Sequence, residues 1–162
     1  MTNKLNKTFV ETIRNIGGNN ETRYLLIASY CNRPDREAIN QLEIIDEYCI
    51  VSIHYFHKYE FCLEKGINLP WNESYVYSIR ETINYLNEKF ISNNIPVIIT
   101  EFGCIDKHNT DDRITYTKSF ISIASQNKIN CIWWDNGNDC GLINRREHTW
   151  KYLDIANQIV QK

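Results

Sequence analysis

Polar and aromatic residues end the four apolar segments of this sequence. The first segment ends at Tyr30, and the second carries His54 and Tyr55 at its end. The third runs into Glu101, and the fourth ends in Trp133 and Trp134. A carboxylate, an imidazole and an indole that meet at one site suit sugar chemistry. The carboxylate can attack or stabilise an anomeric centre while the indole ring stacks on the apolar face of a pyranose.

Each of these residues also has a purely structural interpretation. Glu101 follows the apolar residues 97–99 with one threonine between, so its charge must be paired with an Arg, a backbone N–H or a ligand. His54 lies inside an apolar strand candidate, where a histidine is often a satisfied core residue. One of the two tryptophans must pack into the core, because neighbouring strand residues face opposite sides.

Metal sites are poorly supported. His54 and His57 have no third ligand at metal spacing. The segment from Asp135 to Asp139 is similar to a calcium loop, but Arg146 stands where the bidentate Glu is needed. No phosphate-binding glycine loop or serine nucleophile elbow follows a strand candidate. The sequence therefore predicts no cofactor.

The elements that must position these residues alternate along the chain. Helical spacing of apolar residues predicts helices near 5–16, 74–91, 115–124 and 147–160. Short apolar runs at 23–30, 48–55, 96–100 and 129–134 predict strands. This alternation favours an α/β fold in which helices cover both faces of a parallel sheet, with the strand ends at one edge. We therefore expect Tyr30, His54, Glu101 and Trp134 to lie together.

Composition excludes several classes of protein. The 162 residues are 43% hydrophobic and 23% charged, which is typical of one globular domain. A net charge of -2 gives no basic stripe, so neither nucleic acid nor a membrane surface is an expected partner. No signal peptide or membrane-spanning segment is apparent. The six cysteines form no C-x-x-C pair, and we expect them to act mainly as small buried hydrophobic residues.

Taken in order, the strand ends and their flanks resemble the carboxyl-terminal half of glycoside hydrolase family 5, the cellulase family. The matching segments are 8–14 with 17–20 and 23–26, Val51 to Tyr55, Ile95 to Gly103, and Cys131 to Gly137 with 141–146. The resemblance implies a partial (β/α)8 TIM barrel, roughly strands 5–8 with their helices, in which residues 1–162 form a single half-barrel domain. It also implies retaining hydrolysis of β-1,4-glucan or a related polysaccharide.

The same resemblance implies roles for individual residues. Glu101 matches the catalytic nucleophile, and His54 matches a histidine of the active-site floor. Trp134 matches the tryptophan that stacks on the sugar undergoing cleavage, and Tyr55 is expected to contact substrate. The intact family is extracellular.

Two departures from the family pattern affect the expected activity. Where the family has a tyrosine that supports the nucleophile, this sequence has Phe56. The family's acid/base glutamate belongs to the first half of the barrel, and retaining hydrolysis needs two carboxyl groups about 5 Å apart. We therefore expect the chain alone to be inactive or nearly so, and to self-associate or pair with a complementary amino-terminal half.

Other interpretations remain open at this stage. The chain could be a degenerate fragment, or a noncatalytic carbohydrate-binding module that retains the Trp134 platform. An unrelated flavodoxin-like small-ligand protein is disfavoured because no phosphate-cradling loop is present.

Overall fold

The computed structural model describes residues 1–160 and contains a four-stranded parallel sheet in the order β1-β2-β3-β4. Its strands are β1 (Leu25–Ala28), β2 (Cys49–Tyr55), β3 (Val97–Phe102) and β4 (Asn130–Trp133). The helices are α1 (Thr2–Asn15), α2 (Arg36–Gln41), α3 (Tyr59–Cys62), α4 (Ser74–Lys89), α5 (Thr110–Gln126) and α6 (Leu153–Val160). A small antiparallel pair, β5 (Ile143–Asn144) and β6 (Thr149–Trp150), lies outside the main sheet. Within the described residues, no helix has the length and apolar character needed to cross a membrane.

The predicted α/β order is confirmed, and each of the four strand predictions overlaps an observed strand. Short 3₁₀ turns follow α1, β1 and α4, at Gly18–Asn20, Tyr30–Asn32 and Ile91–Asn93. The short helix α2 begins after Asp35, whose carboxylate accepts a hydrogen bond from Ala38 N–H at 3.0 Å. This N-cap stabilises the start of the helix in the connection between β1 and β2.

The core lies between the sheet and the helices on one of its faces. Alternate strand residues such as Ile27, Val51, Ile53 and Ile99 are fully buried against helical residues such as Phe120. The prediction that helices cover both faces is wrong. On the opposite face Leu26 is 47% exposed and Ile132 is 54% exposed. The sheet is thus a curved wall with an open inner face, as a partial barrel requires.

The last predicted helix is shorter than expected. It begins at Leu153 rather than near Glu147, because the preceding residues form the β5–β6 hairpin. Asn144 determines this turn: its side-chain oxygen accepts hydrogen bonds from the N–H groups of Arg146 and Glu147, both at 3.2 Å. An asparagine that binds the backbone two and three residues ahead favours a turn over a helix.

Candidate active site

His54 and Glu101 are neighbours at the carboxyl end of the sheet. His54 lies on β2, and the parallel pairing places it opposite Glu101 on β3. Their side chains approach to 3.2 Å between Nδ1 and Oε2, and about a quarter of each remains exposed (28% and 25%). The carboxylate is therefore neither orphaned nor sealed in the core, and one edge of the pair can be reached by a ligand.

A β-bulge directs Glu101 to the inner face. Ile53 pairs with Ile99, but the next pair is His54 with Glu101, so Thr100 has no partner residue on β2. In an unbroken strand, residues two positions apart share a face, and Glu101 would point with Ile99 toward the helices. The extra residue reverses this orientation and places the carboxylate beside His54.

Hydroxyl groups occupy the space beneath the bulge. Thr100 Oγ1 lies 2.7 Å from Ser52 Oγ and 3.3 Å from the carbonyl oxygen of Ile53. Ser52 Oγ in turn lies 3.1 Å from Oδ1 of Asn32, in the turn after β1. This chain of contacts connects three strand ends. Sequence reasoning missed it, since isolated Ser, Thr and Asn residues carry no motif of their own.

Trp134 lies beside the bulge, at the end of β4. Its backbone N–H donates to the carbonyl of Phe102 at 2.9 Å, which continues the pairing with β3. The indole is 42% exposed. Trp133 instead packs against the core and donates from Nε1 to the Cys140 carbonyl at 2.8 Å. As expected from strand alternation, one tryptophan is held in the structure and the other is available to a ligand.

Asp135 holds the loop that follows Trp134. Its carboxylate accepts hydrogen bonds from the N–H groups of Gly137 at 2.8 Å and Leu142 at 2.9 Å, and from Arg145 Nη2 at 3.2 Å. Partial burial alone would raise the pKa of Asp135, but the three donors outweigh it and lower that pKa. The Asp135 carboxylate therefore stabilises the loop as a hydrogen-bond acceptor.

The two tyrosines of the prediction have different surroundings. Tyr30 follows β1 and is 57% exposed. Tyr55 is completely buried on the helix side of β2, where its ring packs 5.0 Å from that of Phe120. Burial also raises the pKa of the Tyr55 hydroxyl. The expectation that Tyr55 contacts substrate is wrong, because the strand alternation that exposes His54 turns its neighbour into the core.

A cleft of about 500 Å³ opens beside His54. It is lined by the loops after β1 and β2, at residues Cys31, Asn32, Arg33, Pro34, Asp35, His54, Phe56, His57 and Tyr59. Such a volume falls within the usual range for small-ligand sites. Glu101 and Trp134 lie outside this lining. The residues of this lining that the sequence analysis singled out are His54, Phe56 and His57. The others were missed because they are loop residues without a motif, most of them placed by α2 and the turn at Tyr30–Asn32.

Metal binding finds no support in this region. Residues 1–160 contain no group of three or more His, Cys, Asp or Glu side chains arranged to hold a metal ion. His54 has Glu101 as its charged neighbour. A carboxylate in contact with an imidazole is suited to carboxylate chemistry that the imidazole assists.

Two known endoglucanases are similar in sequence to this chain along nearly its whole length. Endoglucanase 1 of Ruminococcus albus is 36% identical over 162 residues, which cover 94% of this chain and 39% of the relative. Endoglucanase B of Neocallimastix patriciarum is also 36% identical, over 98% of this chain and 35% of its own length. This chain therefore spans less than half the length of these relatives.

Solved structures give the same correspondence. A broad specificity GH5-4 endoglucanase from Clostridium acetobutylicum superposes with a TM-score of 0.93 at 32% identity, covering 99% of this chain and 51% of that one. A broad specificity GH5-4 endoglucanase from Ruminococcus champanellensis, with bound cellotriose, superposes with a TM-score of 0.91 at 30% identity over 99% of this chain and 49% of that one. The four-stranded wall is therefore a partial (β/α)8 barrel. The sequence model described as cellulase (glycosyl hydrolase family 5) matches residues 1–140. The chain belongs to glycosyl hydrolase family 5, the cellulase family.

Proposed function

We propose that this chain carries the nucleophile side of a retaining endo-β-1,4-glucanase-type site. Glu101 is the nucleophile, His54 holds its carboxylate from β2, and Trp134 is the platform on which a glucosyl ring stacks. The substrate class is a β-glucan or a related polysaccharide. The observation that carries this proposal is the bulge that places Glu101 against His54, 3.2 Å apart, on the inner face of the sheet.

The other carboxylates near this site are not placed to act as its general acid. In the described part of the chain, Glu101 is the one Asp or Glu within strands β1 to β4. Asp135 at the end of β4 is held by three loop donors, and Asp35 beside the cleft pairs with Arg33 at 2.8 Å while it caps α2. Neither is free to protonate a leaving group. Unactivated cellulose therefore should not turn over on this chain alone, since general acid catalysis typically contributes about 10²–10⁴-fold.

Mechanism-based labelling tests the nucleophile without the need for a general acid. A 2-deoxy-2-fluoro-cellobioside with a dinitrophenolate leaving group needs no protonation. A Glu101 carboxylate oxygen bonds to the anomeric carbon while the bond to dinitrophenolate breaks, and the phenolate leaves with the electron pair. We expect one fluorodisaccharide per chain, mapped to Glu101 by peptide mass spectrometry.

Matched variants decide the assignment. Glu101→Gln should take up no label, whereas Glu88→Gln, an exposed change on the outer helix α4, should be labelled like the wild type. A folded wild-type chain that takes up no label would contradict the nucleophile assignment. Turnover of unactivated cellulose that Glu101→Gln abolishes would show that a second carboxylate within the chain serves as acid/base.

Binding without chemistry is the competing outcome. If cello-oligosaccharides bind to the wild type and to Glu101→Gln equally well, but not to Trp134→Ala, and no label forms, the chain is a carbohydrate-binding module. Because the Trp134 indole is 42% exposed, binding of cello-oligosaccharides to the wild type and to Glu101→Gln can be followed by tryptophan fluorescence.

A further inference from the structure

Arg113 is the one charged residue among residues 1–160 whose side chain is buried. It lies in the first turns of α5, the helix that follows β3. Its side chain is 0% exposed, and none of its three nitrogen atoms makes a hydrogen bond to the described part of the chain. A guanidinium is costly to bury without hydrogen bonds. Its charge must therefore be stabilised by the groups that surround it.

Two groups surround the guanidinium of Arg113. Oδ1 of Asp106, in the loop after β3, lies 3.9 Å from its Nη1. The ring of Tyr152, just before α6, has its centroid 4.4 Å from the guanidinium carbon, within the range of a cation–π contact. Tyr152 also donates a hydrogen bond from its hydroxyl to Oδ2 of Asp106. Each of these three residues thus contacts the other two, and we call them the Arg113 triad.

The triad keeps Asp106 ionised. Partial burial would raise the pKa of Asp106, but hydrogen bonds from the Tyr152 hydroxyl and the His108 N–H, together with the charge of Arg113, lower that pKa. An ionised carboxylate is a stronger acceptor for the tyrosine hydroxyl than a neutral one. The contacts within the triad therefore support one another, and removal of the Arg113 charge weakens the link between Tyr152 and Asp106.

Both partners of the guanidinium hold the loop that follows β4. The backbone N–H of Asp106 donates to the carbonyl of Asp139 at 2.7 Å. The backbone N–H groups of Lys151 and Tyr152 donate to the carbonyl of Leu142 at 2.8 Å and 3.2 Å. The loop is thus attached at two points to segments that carry members of the Arg113 triad.

The same loop begins at Trp134. The N–H of Leu142 donates to Oδ2 of Asp135 at 2.9 Å, and Asp135 directly follows Trp134 in the chain. The backbone N–H of Trp134 donates to the carbonyl of Phe102, which joins the residue to β3. The indole itself projects from this junction between strand and loop and is partly exposed. A displacement of the loop therefore changes the direction of the indole.

We propose that Arg113 is a positioning residue for Trp134. Arg113 holds Asp106 and Tyr152 together, their backbone N–H groups hold the loop after β4, and the loop keeps the indole in the direction that suits a glucosyl ring. Arg113 contacts no substrate itself, because its side chain is fully buried. The role of Trp134 as a platform rests on the proposed function, whereas the hold of Arg113 on the loop does not.

Amide hydrogen exchange followed by NMR tests the hold on the loop. Arg113→Met keeps much of the side-chain volume and removes the charge. We expect the amides of Asp106, Trp134 and Leu142 to exchange at least about tenfold faster, because their bonds break in local openings of the loop, while the amide of Ile99 in β3 is unchanged. An equal gain at all four amides would show that Arg113 contributes only to global stability, and would overturn the proposal.

Matched variants separate the triad from a general loss of charge or hydroxyl. Lys118→Met removes an exposed cation from the same helix and should change none of these amides. If circular dichroism shows that Arg113→Met does not fold, Tyr152→Phe takes its place, since it removes only the hydroxyl bond to Asp106. It should speed exchange at the same amides by about threefold or more. Tyr77→Phe, which removes an exposed hydroxyl from α4, is its control. Unchanged loop amides in Tyr152→Phe would contradict the proposal.

A double-mutant cycle on cellotriose binding, measured by calorimetry, tests whether the effect passes through Trp134. Arg113→Met should weaken binding by the wild type about fivefold, because a misdirected indole loses part of its stacking contact. In the Trp134→Ala background the same replacement should cause no further loss. Equal losses in both backgrounds would show that Arg113 acts elsewhere and would overturn the proposal. A wild type that binds no cellotriose would contradict the proposed function alone, and the exchange of the Trp134 amide would still decide whether Arg113 positions this residue.

Discussion

His54 Nδ1 lies 3.2 Å from Glu101 Oε2 because a single residue, Thr100, is looped out of the pairing between β2 and β3. The identity of the two side chains is not enough to bring them together. Without the bulge, Glu101 would follow Ile99 toward the helices, and His54 would face the side chain of Thr100.

Thr100 should therefore act as a positioning residue for Glu101. Thr100→Val keeps the shape of the side chain but removes the hydroxyl contacts with Ser52 and the Ile53 carbonyl. We expect fluorocellobioside labelling of Glu101 to slow about tenfold or more, since misplacing a reacting group by a fraction of an ångström is costly. Thr100→Ser, which keeps the hydroxyl, should label at nearly the wild-type rate.

A spectroscopic comparison separates positioning from simple loss of stability. In the wild type, Glu101→Gln should shift the imidazole NMR resonances of His54, because the two groups are in contact. In the Thr100→Val background the same replacement should cause a much smaller shift. If both backgrounds respond alike while labelling still falls, Thr100 acts in some other way.

The contrast between the predicted and observed features has a physical explanation. Strands such as β2 and β3 were predictable because their apolar runs reflect burial, and burial is local in sequence. The open inner face was not predictable from periodicity, since Leu26 and Ile132 are as apolar as core residues. The place of Tyr55 at the end of an apolar run did not show that it is buried. Its burial follows from strand alternation, because a residue next to the exposed His54 must face the helices.

Gly103 should be intolerant of any side chain. Its φ of +151° lies in the region that favours glycine, and an added Cβ would lie 3.3 Å from Cε2 of Trp133. That indole is held by its hydrogen bond to the Cys140 carbonyl and cannot easily move away. We expect Gly103→Ala to lower the free energy of unfolding by about 1–3 kcal/mol and to change the near-ultraviolet dichroism of the tryptophans.

Gly18→Ala is the matched control for that experiment. Gly18 also has a positive φ, of +60°, but an added Cβ would meet no atom within 4 Å. It should cost only the backbone term, about 1 kcal/mol, and leave the tryptophan signal unchanged. Equal effects of the two substitutions would mean that contact with Trp133 contributes nothing.

The thiols should differ sharply in reactivity. Cys31 is exposed, whereas burial raises the pKa of Cys104 to about 12, that of Cys131 to about 12 and that of Cys140 to about 11. The reactive species is the thiolate. We expect Ellman's reagent at pH 8 to modify one thiol per native chain rapidly, and all six after unfolding. Cys31→Ser should remove the fast phase; a fast phase that persists would show that a buried thiol is accessible.

Asp135 should contribute stability that is lost in acid. Its folded-state pKa lies below the unfolded value of about 3.9, because three donors hold the ionised form. The stabilisation is therefore fully present above that unfolded value and disappears as the pH falls through the lower, folded pKa. At pH 7, Asp135→Ala should lower the free energy of unfolding by about 1–3 kcal/mol, since it leaves the N–H groups of Gly137 and Leu142 without their acceptor.

Urea unfolding of wild type and Asp135→Ala between pH 7 and pH 3 measures this contribution. The difference between the two proteins should be constant near neutrality and shrink below about pH 4, where the wild-type carboxylate takes up a proton. Glu88→Ala, which removes an exposed carboxylate on α4 with no bonded partner among the described side chains, should show no such narrowing. Cellotriose binding by Asp135→Ala should also weaken, because the loop that Asp135 holds begins at Trp134. A difference in unfolding free energy that stays the same down to pH 3 would show that the loop is held by packing rather than by the ionised carboxylate.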